Sequence, residues 1–306
     1  MNRGTIPRSG TQSLSVRIGP LHLANPVIVA SGVCGFGERD TAALNQAGAI
    51  VCKTVTRYPR PGNPVPRAAD APSGMINSIG LENPGVEHLT EKLPKLRSLR
   101  CRVIGSFLGE DAGDFRYLLE RMESYGVFHA YEVNLSCPNV TKGAWFYDRA
   151  RLSRLLRELR AGTRRALIAK LSPEKDPVGT ASLARDAGFD AVTLINTYTA
   201  VAVDPRARRY RIGHIVGGLS GPCIKPLALR WVREVALQVG IPIVGCGGIV
   251  SADDAVEFML VGAVAVQVGC GWFRDPSLPG AIVRGLQTYL REERLTLEQL
   301  RGFLLR

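Results

Sequence analysis

A thiol framed by carboxamides is the group in this chain best suited to chemistry. Cys137 lies in the run Asn134-Leu135-Ser136-Cys137-Pro138-Asn139, where an apolar stretch passes into polar residues and a proline. That setting argues for a thiol open to a cup, and a thiol with a reference pKa of about 8.5 acts as a base once partly ionised. Cys34, Cys52, Cys101, Cys223 and Cys246 read instead as inert buried hydrophobes. Two lysines, Lys53 and Lys170, interrupt apolar runs. A buried ammonium is costly unless matched by negative charge. A structural salt bridge, a Schiff base or an anionic ligand would each answer that cost, and two lysines facing one cup suit an anionic cofactor with an anionic substrate. Three glycine-rich stretches, Gly217-Gly218-Leu219-Ser220-Gly221, Gly247-Gly248 and Gly269-Cys270-Gly271, let backbone amides approach an anion closely. They read as a phosphate site, with plain tight turns as the alternative.

These groups meet only if the chain gathers the ends of its strands. Short continuous apolar runs at 27–30, 50–55, 102–106, 130–134, 167–171, 191–195, 242–245 and 263–268 suit parallel strands buried on both faces. Amphipathic helices are expected between them, over 41–47, 111–124, 151–160, 177–187, 226–239, 252–260 and 279–293. Asp176-Pro177, Ser251 and Pro279 supply starts, and Gly48, Gly188, Gly240 and Gly262 supply left-handed ends. This alternation predicts an α/β fold, a single (β/α)8 TIM barrel over residues 1–306. The open doubly wound alternative needs a Gly-x-Gly-x-x-Gly turn after the first strand, and Ser31-Gly32-Val33-Cys34-Gly35 does not match. Residues 14–23 predict a β-hairpin about a Gly-Pro turn, capping the barrel bottom, and 58–84 a long Pro/Gly-rich functional loop after the second strand. Catalytic groups of such barrels sit at the C-terminal strand ends. Those ends carry Ser31, Lys53-Thr54, Ser106, Asn134, Lys170, Asn196-Thr197 and the glycines of the last two turns.

Composition narrows the partners. The net charge is +12, from 39 Lys+Arg against 27 Asp+Glu, but the arginines are spread along helices with no unbroken basic block. That pattern gives no specific case for nucleic acid or a membrane surface. The seven cysteines are odd in number and none are spaced Cys-x-x-Cys, and the four histidines lack metal-ligand spacing. Neither disulfides nor a metal is expected, and a reducing, cytoplasmic setting follows. Residues 1–15 have no apolar signal core, and the apolar run 258–273 reads as a helix end and a buried strand.

The chain resembles the class 1B dihydroorotate dehydrogenases over nearly its whole length. The motifs that carry the likeness are Asn25-Pro26 with Ala30-Ser31-Gly32, Lys53-Thr54, Met75 through Gly85, Asn134 through Val140, Lys170-Leu171-Ser172-Pro173, Ile195-Asn196-Thr197, Gly217 through Pro222 with Ile224-Lys225-Pro226, Gly247-Gly248, and Gln267-Val268-Gly269. The resemblance implies FMN in the barrel mouth, its phosphate on Gly221, Gly247, Gly248, Gly269 and Cys270. Ser31, Lys53, Thr54, Ser106, Asn134, Lys170 and Ile195 would surround the rest of the cofactor. Asn77, Asn134, Asn196 and Thr197 would bind the substrate ring, and Lys53 with the backbone around Ser78, Ile79, Gly80 and Leu81 its carboxylate. It also implies that Cys137 takes the proton from carbon 5 of dihydroorotate while a hydride passes to FMN. A partner subunit carrying FAD and an iron–sulfur cluster, passing electrons to NAD, and a homodimeric core come from the resemblance alone.

Two positions depart from the family pattern: Ser106 stands where Asn is usual and Cys270 where Thr is usual. Ser106 also resembles dihydropyrimidine dehydrogenases, so oxidation or reduction of another dihydropyrimidine is one alternative. A tRNA-dihydrouridine synthase-like enzyme is another, but it would need a Gly-Cys-Pro motif and an extra C-terminal helical domain. A flavin-free aldolase using Lys170 is the third.

Overall fold

A computed structural model describes residues 13–136 and 148–306; Cys137 therefore lies outside the described residues. The chain opens with a hairpin, β1 (Val16–Ile18) and β2 (Leu21–Leu23), turning at Gly19-Pro20 as expected. The barrel strands are β3 (Val27–Val29), β4 (Ala49–Val51), β7 (Arg102–Phe107), β8 (Ala130–Asn134), β9 (Ala166–Lys170), β10 (Ala191–Leu194), β15 (Ile243–Cys246) and β16 (Ala265–Val268). They close in chain order, β16 pairing back on β3, and every pairing is parallel. A parallel pair needs a crossover, and helices supply it, among them Ala112–Ser124, Arg149–Ala161, Pro177–Asp186, Lys225–Gln238, Ala252–Leu260 and Leu278–Glu292. The side chains of Asp111, Asp176 and Ser251 cap three of them.

Four expectations change. The 58–84 segment is not a loop throughout. It folds into β5 (Ala68–Ala71) and β6 (Gly74–Asn77), which join β11 (Tyr198–Val201) and β14 (Val216–Ser220) in an antiparallel sheet ordered β11-β14-β6-β5. Gly217 through Ser220 is thus strand, and only Gly221 of that stretch turns. A small hairpin, β12 (Val203–Asp204) with β13 (Arg209–Tyr210), extends the excursion. β4 ends at Val51, so Lys53 stands beyond the strand rather than within it. Gly188, Gly240 and Gly262 are left-handed as expected but Gly48 is not. Gly48 is required because a Cβ there would strike the Asn25 carbonyl.

The hairpin fills the barrel bottom. Ile18, Leu21 and Leu23 are buried in one apolar cluster with Ile28, Val51, Ile104, Ile168 and Val244 from the barrel strands. The apolar run near 258–273 resolves into the end of helix Ala252–Leu260 and the buried β16. Among the described residues no helix is long and apolar enough to cross a membrane. Because Leu23 is fully buried in that plug, Leu23→Ala is expected to cost about 2–5 kcal/mol. Chemical denaturation reads this directly, and a cost near zero would mean that the hairpin does not seal the barrel.

Candidate active site

Parallel closure puts all eight C-terminal strand ends at one mouth, and side-chain bonds link neighbouring ends in groups. The Ser31 hydroxyl donates to the Cys52 carbonyl at 2.8 Å and lies 3.1 Å from the Thr54 hydroxyl, which in turn is 2.8 Å from Ser106 Oγ. Ser106 takes its place in this hydroxyl chain while fully buried. Across the mouth, Asn134 Oδ1 accepts from the Ser136 amide at 3.1 Å and hydroxyl at 2.8 Å, and Asn196 Nδ2 donates to the same hydroxyl at 2.6 Å. Asn134 and Asn196 are thereby fixed to one another through Ser136, a residue given no role from sequence.

The two lysines differ. Lys170, the last residue of β9, is buried, donates to Gln267 Oε1 at 3.2 Å and stands 3.6 Å from Glu132 Oε1. Burial works against its ammonium, but Glu132, aided by Cys246, prevails and holds its pKa above the ordinary value. Glu132 is itself wholly buried, its other oxygen accepting from Gln267 Nε2 at 2.5 Å and Thr193 Oγ1 at 2.9 Å. Lys53 is half-buried. Among the described residues its ammonium has no ion-pair partner. Burial lowers its pKa, and the charge of Glu82, itself paired with Arg67 at 2.7 Å, only partly offsets that. Of the two lysines expected to face anions, Lys170 thus has its counter-charge within the protein, and Lys53 has none within ion-pair distance among the described residues. Glu132 and Thr193 were missed, although a glutamate inside the apolar run Ala130-Tyr131-Glu132-Val133 was the available signal.

The glycine turns form a cradle. Gly221, Gly247 and Gly248 have φ of 117°, 128° and 79°, values that L side chains rarely adopt. A Cβ on Gly248 would lie 2.8 Å from the Gly221 carbonyl, so the turns after β14 and β15 touch, and the Ile195 side chain packs beside Gly247. Gly248 and Ile249 are buried residues, and their amides find no acceptor among the described residues. Buried donors of this kind call for a partner. Gly269 faces open space, with nothing within 4 Å of an added Cβ. The half-buried Cys270 thiol, raised by burial and partly relieved by a Ser220 hydrogen bond, stands next to it. The chemistry of this lining suits an anionic group: amides without acceptors at one side, hydroxyls and a charged lysine at the other.

The excursion sheet supplies the outer wall. Asn77 pairs in register with Gly218, and its Nδ2 reaches the Gly218 carbonyl at 3.5 Å. A Cβ on Gly218 would collide with the Thr197 side chain, so Asn77 and Thr197 come together over that glycine. Ser78 Oγ is turned toward Asn63 Nδ2 at 2.7 Å, while Asn63 N donates to the Ile79 carbonyl at 3.1 Å. Gly80 and Leu81 follow with φ of 72° and 56°. Leu81 is thus a non-glycine held left-handed, a conformation costing on the order of 1–3 kcal/mol. Of the remaining cysteines, Cys34, Cys52, Cys101 and Cys246 are buried as expected, burial pushing Cys34 up to about 12 and Cys101 to about 11. Cys223 is exposed, contrary to expectation, because it sits in the short turn Pro222–Ile224 outside the barrel wall.

Comparison with known proteins identifies the family. The family model described as dihydroorotate dehydrogenase matches residues 13–290. A Geotalea uraniireducens protein, named dihydroorotate dehydrogenase B (NAD(+)), catalytic subunit, is 43% identical over 289 residues, covering 92% of this chain and 95% of its own. A protein of the same name from Desulforudis audaxviator is 44% identical over 285 residues, covering 91% and 93%. The crystal structure of a dihydroorotate dehydrogenase from Eimeria tenella in complex with ferulenol superposes with a TM-score of 0.82 at 22% identity, covering 96% of this chain and 89% of that one, which bears on the fold. The chain accordingly belongs to the dihydroorotate dehydrogenase family of flavin-dependent oxidoreductases.

Proposed function

We propose that this chain oxidises (S)-dihydroorotate to orotate in pyrimidine biosynthesis, with FMN in the barrel mouth. The observation that carries the substrate assignment is Lys53, a half-buried ammonium at the mouth without an ion-pair partner among the described residues. A substrate carboxylate supplies the missing charge. A neutral dihydropyrimidine such as dihydrouracil leaves it unmet, which disfavours that alternative.

Each residue then has a task. Lys53 and the backbone from Ser78 to Leu81 receive the carboxylate, while Asn77, Asn134, Asn196 and Thr197 read the donors and acceptors of the ring edge. Ser31, Thr54 and Ser106, already bonded into a chain, and Ile195 line the cofactor's body. Gly221, Gly247, Gly248, Gly269 and Cys270 hold its phosphate. FMN, when bound, supplies the hydride acceptor. Lys170, kept charged by Glu132, offers a preorganised cation to whatever negative charge develops beside it. Cys137, carried by the Ser-Cys-Pro motif, takes the proton from carbon 5 of the substrate. The relatives' designation as NAD(+)-using catalytic subunits supports a separate electron-transfer subunit. FAD and an iron–sulfur cluster on that subunit, a homodimeric core and a cytoplasmic location complete the reading.

The direct test mixes the oxidised holoprotein anaerobically with each candidate. Dihydroorotate is expected to bleach the flavin and dihydrouracil to leave it coloured; the reverse would remove the assignment. The lowered pKa of Lys53 gives a sign for pH dependence. Lysine carries its charge below its pKa, so the KM for dihydroorotate should rise as pH climbs through a value under the ordinary lysine range. In Lys53→Met the KM should be about tenfold higher or more, the loss of one charge-assisted contact, and flat across that range. Cys137→Ser should keep bound flavin and lose most turnover at neutral pH, because a hydroxyl is a far weaker base. Undiminished turnover in that variant would take Cys137 out of the mechanism.

A further inference from the structure

Lys225 stands beside the phosphate cradle yet spends its charge elsewhere. Its Cβ would lie 2.8 Å from a Cβ on Gly248. Its ammonium turns away, to Asp254 Oδ1 at 2.6 Å and Glu257 Oε1 at 2.8 Å. Asp254 is buried, and its second oxygen accepts from the Val250 amide at 2.8 Å. The Ser251 hydroxyl, capping the same helix, accepts from the Asp254 amide at 3.1 Å. One carboxylate therefore ties the first residue of helix Lys225–Gln238, which follows Gly221, to the turn that follows β15.

The consequence lies in which amides stay available. The turn runs Gly247, Gly248, Ile249, Val250. Asp254 takes the Val250 amide, while the amides of the buried residues Gly248 and Ile249 have no acceptor among the described residues. With two glycines at φ of 128° and 79°, this turn has little stiffness of its own. The anchor at Val250 fixes the direction in which the two preceding amides face. With Lys225 neutralised by two carboxylates, a bound phosphate is met at this turn by oriented amides rather than by that ammonium.

We propose that Asp254 is a positioning residue for the phosphate of the flavin, acting through the Val250 amide and Lys225 to aim the free amides of the Gly247–Val250 turn. The inference rests on the proposed flavin reading. Riboflavin, which lacks the phosphate, separates this role from general packing.

The experiment titrates flavin-stripped protein with FMN and with riboflavin, following flavin fluorescence. In Asp254→Ala, FMN affinity should fall about tenfold or more, the worth of one or two charge-assisted hydrogen bonds, while riboflavin affinity changes less than about twofold. Asp254→Asn, whose amide oxygen still accepts from Val250, should recover FMN affinity to within about threefold. Equal losses for both flavins, or full FMN affinity in Asp254→Ala, would overturn the role and leave the flavin reading intact. Failure of the unaltered chain to bind FMN would overturn both. Should Asp254→Ala not fold, Lys225→Met keeps the Val250 bond and removes only the tether. It should show a smaller loss that still falls on FMN and not on riboflavin; an equal loss on both would count against the proposal.

Discussion

The cost of holding ammonium groups out of water governs this site. A charge buried without a partner is too expensive to keep, and a buried pair survives only when further hydrogen bonds satisfy its remaining atoms. Lys170 and Glu132 meet that condition in part, since Gln267 serves both side chains and Thr193 the glutamate, while Glu132 Oε1 accepts no hydrogen bond among the described residues. Glu132 sits on β8 at the heart of the barrel, one oxygen near Lys170 and the other bonded by Gln267 and Thr193. Four strands, β8, β9, β10 and β16, contribute to the cluster. Removal of either charge would strand the other, so the barrel interior commits these strands to one register about a fixed cation.

Closure of a parallel barrel does the rest of the placement. Every strand points the same way, so each C-terminal end reaches the same rim. The hairpin plug below and the excursion sheet above divide the labour. Ile18, Leu21 and Leu23 fill the bottom with hydrocarbon. β6 and β14, by contrast, bring Asn77 and Gly218 into register beside Thr197 at the mouth. A stable scaffold at one end and polar groups held by backbone pairing at the other let the rim stay open without losing its geometry.

Much of this is legible in the sequence. The apolar runs were long enough and uninterrupted enough to read as buried parallel strands, and the helix starts at Asp176 and Ser251 followed from capping chemistry alone. What escaped was long-range pairing. Nothing local in 58–84 reveals that Ile76 and Leu219 face each other across a sheet, because strand pairing between segments that far apart leaves no mark in either. Gly48 read as a helix end when its need is the approach of the Asn25 carbonyl, a contact that sequence spacing does not encode. Lys170 was recognised as a cation in need of an anion, but the anion was sought in a ligand while Glu132 stood on the neighbouring strand.

That last difference sharpens the electrostatic argument for specificity. Two lysines stand at the mouth, and one carboxylate within ion-pair distance serves them among the described residues, on the side of Lys170. Glu82, the carboxylate that Lys53 feels, is exposed and engaged with Arg67. Among the described residues, Lys53 thus lacks at the mouth the counter-charge that Lys170 has. On the proposed reading the substrate supplies that charge, and a monoanionic ring would give Lys53 the balance that Glu132 already gives Lys170. Discrimination of this kind is efficient because it leaves a wrong, neutral ligand facing an unmet buried charge instead of merely lacking a contact.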